Sequence, residues 1–374
     1  MTDSNGRRIA WISIPAFIDT DFFAIKEMVK HYEIDFYLIY SSCEKIDFLE
    51  SIKNLDSENI NFNLVMCRID WRASDFRRAI CYQRILKTIK KRKYDMVYSL
   101  LFGMPYYIFM LYTILGKKKT LLGIHNVHVP RGGSYSFTSK LYNSFALHFF
   151  NYYHTFSKAQ KKALLTIAPS KYCENVSHML TDYGMPIKVR NDNRITFLSF
   201  GYIRKYKRID VLIEAAQKIY EDTKTLFRVI IAGSSDNWDD EYQPLIKYPE
   251  IFDLRIGRVE DSEIADLFNE SDYFVAPYQD IAQSGSAVVA LNYNKPIVAS
   301  RLEAFEEYVI DNETGFIIAP ANMEELYTKM KFIIMNHENI YACLQANIKK
   351  FKKTMFSSEA IAEQYMRIFD KVID

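Results

Sequence analysis

The chain alternates short apolar, β-favouring runs with longer stretches of helical periodicity. In the first half the short runs are RIAWISIP (Arg8 to Pro15), IDFYLIYSS (Ile34 to Ser42), NFNLVMCRI (Asn61 to Ile69), YDMVYSLL (Tyr94 to Leu101), KTLLGIHNV (Lys119 to Val127) and ALLTIAPS (Ala163 to Ser170). Runs apolar on both faces, such as LLTIAP, read as strands covered by helices on each side. Their alternation with helical patterns predicts a parallel α/β sheet. After Ser170 we expect a short helix, then a linker at Gly184, Pro186 and the polar stretch Arg190 to Arg194.

The pattern then restarts. Strands are expected at Arg194 to Gly201, Phe227 to Gly233, Leu254 to Val259, Asp272 to Tyr278, Lys295 to Ser300 and Gly315 to Pro320, with a helix at Asp210 to Tyr220. Two such series predict an α/β protein of two Rossmann-like, doubly wound domains facing across a cleft. The expected bounds are 1–188 and 189–356, followed by a C-terminal helix at 357–374 that crosses back to the first domain. Ligands of such sheets bind beyond the carboxyl ends of the strands. The longest uncharged stretch, Leu100 to Gly116, reads as a strand end, a turn at Gly103 and Pro105, and a core helix, because it is short and broken for a bilayer span.

The remaining bulk properties narrow the function. The 374 residues are 49% hydrophobic and 25% charged, a globular composition. A net charge of +2 gives no general attraction to nucleic acid, and no recognition motif accompanies the basic residues. Five scattered cysteines show no zinc spacing and fit a reducing cytoplasm. The N-terminal MTDSNGRRIAWISIP has no leader character. Ser74 to Lys93 predicts an amphipathic helix, with Phe76, Ile80, Leu86 and Ile89 at helical spacing and Arg77, Arg78, Arg84, Lys87, Lys90 and Lys91 on the other faces. It suits either packing on the sheet or peripheral contact with an anionic membrane at the inner face of the plasma membrane.

Three segments carry candidate chemistry. In FLSFGYIRKYKRIDVLIEAA a strand ends at Gly201, and Arg204, Lys205, Lys207 and Arg208 follow before a helix. Cations there can neutralise a diphosphate and its developing charge, although charge runs are often merely solvated. In APYQDIAQSGSAVVALNYNKPIVAS the loop Gln283, Ser284, Gly285 and Ser286 opens an apolar helix, whose free amides and dipole favour an anion. Its plainer reading is an ordinary βα turn. In GIHNVHVPRGG, His125 and His128 follow a strand end, where a histidine contacts a substrate or simply satisfies its surroundings.

From about Arg194 to Pro320 the chain resembles the retaining glycosyltransferases of family four, which have the GT-B fold. The resemblance rests on FGYIRKYKRIDVLIEA, VIIAG, IGRVEDSEIADLFNESDYFVAPY, the QSG loop, KPIVAS and EEYVIDNETGFIIAP, in the family's order. It implies a second domain that holds a nucleotide-sugar and a first that holds the acceptor, a saccharide or a lipid-linked saccharide. Gly201, Arg204, Lys207, Gly233, Arg258, Val259, Gln283, Ser284, Gly285, Ser286 and Glu307 would then serve the donor. His125, Arg204 and Lys207 would serve catalysis, and Asp19 and Asp21 would touch the acceptor or cap the following helix. Two family glutamates are replaced by Ala282 and Ala290, and the glycine-rich loop after the first strand is missing. The resemblance implies transfer with retention, in surface polysaccharide or glycolipid synthesis. No DxD motif sits at a strand end, so no metal or other cofactor is expected. The alternatives are another enzyme class on the same scaffold and a non-catalytic relative that binds nucleotide-sugar or a partner enzyme.

Overall fold

The computed structural model describes residues 6–44, 46, 49–72, 74–100, 105–124, 127, 137–281 and 284–374, without the side chains of 19 and 137–140. The chain forms two compact units. One is Met1–Met179 with Met355–Asp374, and the other is Leu180–Thr354.

The first unit contains β1 (Arg8–Ser13), α1 (Ile18–Met28), β2 (Glu33–Tyr40), α2 (Leu49–Glu58), β3 (Phe62–Arg68), α3 (Phe76–Arg92), β4 (Met96–Leu100), α4 (Pro105–Leu115), β5 (Thr120–Ile124), α5 (Phe137–Phe149), β6 (Tyr152–Thr155), α6 (Lys158–Ile167) and β7 (Tyr172–Asn175). Its strands make one parallel sheet in the order β3-β2-β1-β4-β5-β6-β7. Successive side chains of a strand point to opposite faces. Ile9 and Trp11 therefore enter one core, while Ala10 and Ile12 enter the other with residues of α3 and α4. Each fully buried Ile contributes about 1.5–3 kcal/mol.

The second unit runs β8 (Thr196–Phe200), α7 (Ile209–Thr223), β9 (Arg228–Gly233), α8 (Trp238–Glu241), β10 (Phe252–Ile256), α9 (Asp261–Glu270), β11 (Tyr273–Ala276), α10 (Gly285–Asn292), β12 (Ile297–Ser300), α11 (Glu303–Glu306), β13 (Gly315–Ile318) and α12 (Met323–Met355). Its sheet is also parallel, in the order β10-β9-β8-β11-β12-β13. Phe197, Val229 and Tyr273 of the sheet bury against Leu212 of α7 and Leu326 and Met330 of α12. The last helix, α13 (Ser358–Ile373), packs in the first unit, with Tyr365 and Phe369 against Trp11 and Tyr98.

Two expectations are corrected. ALLTIAPS is not a strand but the end of α6. Ser157 caps that helix, its hydroxyl accepting from the Gln160 amide at 3.1 Å. Only one face of the apolar run is covered, since Leu164 is buried while Ile167 is 61% exposed. The helix expected after Ser170 is instead β7, paired in register with β6. β6 itself (Tyr152–Thr155) escaped notice because its sequence is polar, yet His154 and Thr155 are buried.

Candidate functional site

β8 and β11 are neighbours where the strand order reverses, with β9 and β10 to one side and β12 and β13 to the other. Chain leaving two such strands diverges and opens a crevice at their carboxyl ends. Gly201 follows β8 at a φ of 99°. A Cβ there would lie 2.9 Å from Ser286 Oγ and 3.1 Å from Lys207 Nζ. Gly233, ending β9 at a φ of 143°, is stricter still, because its Cβ would come within 2.3 Å of the Gly201 carbonyl oxygen. Glycine is the residue that tolerates both the close approach and the dihedral.

Lys207 is 6% exposed. Its ammonium donates to the Phe200 carbonyl oxygen at 3.2 Å, and the Ser286 hydroxyl donates to the same oxygen at 2.9 Å. The basic segment after β8 and the start of α10 thus meet beside Gly201. Burial pushes Lys207 down to about 8, with no described carboxylate offsetting it. The Tyr278 ring, 5.5 Å from Nζ, offers only its face. Ser284 caps α10, accepting from the Ala287 amide at 3.3 Å. The first amides of a helix lack intrahelical acceptors, and its dipole favours a negative charge there.

The structure sorts the four cations of the cluster. Lys205 pairs with Glu241 at 3.1 Å, and Arg208 pairs with Asp210 at 2.7 Å. Arg204 is exposed and forms no ion pair among the described residues; its guanidinium lies 4.6 Å over the Tyr202 ring. A buried ammonium, a hydroxyl, helix-start amides and an uncommitted guanidinium make an arrangement suited to an anion with several oxygens.

Residues 185–351 match the family described as glycosyl transferases group 1. A glycosyltransferase from Rickettsia africae shares the fold with a TM-score of 0.69 at 17% identity, over 99% of each chain. Anabaena HepE, solved in complex with UDP, has a TM-score of 0.65 at 13% identity, over 98% of this chain and 100% of that one. The fold is GT-B. An uncharacterized glycosyltransferase of Methanocaldococcus jannaschii is 24% identical over 189 residues, 50% of this chain and 48% of its own length. The chain thus spans about half the length of the curated relatives it matches.

The other expected site residues of this GT-B chain divide by position. Val259 and Arg258 follow β10; Arg258 is exposed and pairs with Glu260 at 3.1 Å. Glu307 occupies the C-terminal cap of α11, beyond the carboxyl end of β12. It stands two residues from Phe305, whose ring packs on Tyr278 at 5.4 Å. Asp21 is 1% exposed and accepts from the Ser13 hydroxyl. It does not cap α1, which has no side-chain cap bond. His125, His128, Ala282, Gln283 and the side chain of Asp19 lie outside the described residues.

Elsewhere the structure adds contrast. A cavity of about 970 Å³ lies at the amino ends of β8 to β10, lined by residues that include Arg194, Arg228, Asp253 and Glu270. Most of its charges are paired, with Arg228 to Glu270 at 3.1 Å and Arg194 to Asp192 at 2.7 Å. α3 faces its sheet with Tyr82, Leu86 and Ile89, whereas Phe76 is 73% and Ile80 39% exposed, so those two lie off the packed face expected for them. No helix among the described residues is long and apolar enough to cross a membrane. Sequence reasoning did not single out Tyr202 or Tyr278, whose rings lie beside Arg204 and Lys207; for Tyr202 the available signal was its place within the basic segment.

Proposed function

We propose that this protein is a retaining glycosyltransferase that moves a sugar from a nucleotide-sugar to a saccharide or lipid-linked saccharide, in surface polysaccharide or glycolipid synthesis at the cytoplasmic face of a membrane. The observation that carries the reading is the meeting of Lys207 and Ser286 on one carbonyl oxygen beside Gly201. A buried ammonium without a carboxylate is costly, and a diphosphate supplies the missing charge. In this reading Lys207, Arg204 and the amides at Gly285 and Ser286 stabilise the charge that grows on the diphosphate as the anomeric bond breaks. The departing phosphate oxygen takes the acceptor's proton while attack comes from the same face, which retains configuration. Gln283 and Glu307 complete the donor's surroundings, and His125 orients the sugar.

Lys207→Ala and Arg204→Ala are each expected to lower turnover by about ten-fold or more and to weaken nucleotide binding. Full transferase activity in both variants would end the assignment. Anabaena HepE was solved with UDP and with UDP-glucose, so uridine nucleotides head the donor screen. On the acceptor side, the exposed Trp71, Phe76 and Ile80 beside Arg77 support peripheral contact with anionic lipid. Flotation with anionic vesicles at low salt tests it, and absence of binding counts against it.

A further inference from the structure

The pairing of β8 and β9 continues past the strands. The Ile203 amide donates to the Ser234 carbonyl at 2.8 Å, and Ile203 bridges Ser235 in parallel register. Tyr202 and Asp236 thereby come together across the two loops, and the Tyr202 hydroxyl donates to the Asp236 carboxylate. Tyr202 remains 41% exposed, so hydrophobic burial does not explain the ring. The Arg204 guanidinium lies over the ring, 4.6 Å from its centroid.

We infer that Tyr202, anchored by Asp236, is a positioning residue that holds Arg204 for the donor diphosphate, an inference that rests on the donor reading above. An unsupported arginine at an exposed loop samples many rotamers and must be ordered when an anion binds. An aromatic face restricts it beforehand while leaving its N–H groups free to donate. Asp236 meets the phenol and forms no ion pair with Arg204, so the guanidinium charge stays available to a ligand.

The test is titration calorimetry of UDP, GDP and ADP with the wild-type chain, Tyr202→Leu, Tyr202→Phe, Arg204→Ala and the double variant Tyr202→Leu/Arg204→Ala. Leu keeps bulk between the loops but removes the aromatic face, and melting curves verify that each variant is folded. For the nucleotide that wild type binds best, Tyr202→Leu is expected to weaken binding about three-fold. Tyr202→Phe is expected to recover most of that loss, and the Leu change is expected to add nothing when Arg204 is already Ala. An equal loss in both backgrounds, or none from Tyr202→Leu, overturns the positioning role while Arg204 keeps its own. If wild type binds none of the three nucleotides, or Arg204→Ala binds like wild type, the donor reading itself fails and takes this inference with it.

Discussion

Near β1 of the first unit, two buried polar pairs bring together groups with no cation among them. The Tyr98 hydroxyl and His154 Nε2 lie 2.8 Å apart, and Ser13 donates to Asp21. Burial pushes His154 down to about 3, so it carries no charge at neutral pH. At the end of β8 in the second unit, Lys207 is comparably buried but meets a carbonyl oxygen and a ring face, with no described carboxylate to offset it. Both arrangements are interior and hydrogen-bonded, yet only the second leaves a cation without its counterion. Burial alone distinguishes neither; the uncompensated charge is what makes the second the candidate site, because folding alone gains nothing from it.

The sharpest way to break this contrast is Lys207→Met. We expect transfer to fall by at least about ten-fold while stability rises by about 1–3 kcal/mol, since a desolvated charge is replaced by an apolar chain of similar length. A lower melting midpoint for the folded variant would mean that Lys207 stabilises the fold. Second is pH. The folded value of Lys207, about 8, lies below the usual 10.5, so its cost to stability is present below pH 8 and fades as pH rises toward 10.5. A bound diphosphate favours the charged form. Its affinity should therefore decline by up to about ten-fold per pH unit above 8, and calorimetry across pH 7 to 10 that showed no decline would detach Lys207 from the ligand.

On the other side of the comparison, Tyr98→Phe leaves a buried His154 nitrogen without its phenol. It is expected to lower stability by about 1–3 kcal/mol in denaturation while leaving nucleotide binding unchanged. The smallest effect belongs to Lys205→Ala. Its exposed pair with Glu241 contributes about 0–1 kcal/mol, and nucleotide affinity should change by less than about two-fold. A loss as large as that from Lys207→Ala would erase the sorting of the cluster.

Much of the architecture was visible in the pattern. Strands such as Arg8–Ser13, Glu33–Tyr40 and Arg228–Gly233 fall within two residues of their expected bounds because each is apolar on both faces. ALLTIAPS misled because a short apolar run does not distinguish a strand from one side of a helix, and here the Ser157 cap decided the matter. β6 was illegible because Tyr153, His154 and Thr155 are buried despite their polar groups. At the site, sequence marked Gly201 and the four cations but not which of them lack a carboxylate, since Glu241 comes to Lys205 across a loop. The pairing of Tyr202 with Asp236 likewise depends on β8 and β9 running side by side.

The placement of α13 bears on how the chain is made. Tyr365, Ile368 and Phe369 fill the same core as Trp11 and Tyr98, and Asp370 receives Arg7 at 3.1 Å and the Tyr32 hydroxyl at 3.0 Å. During synthesis that core stays open until residues 358–373 have left the ribosome, whereas every residue of the second unit has already emerged. The second unit is thus free to fold first, while the core around Trp11 and Tyr98 waits on residues 358–373.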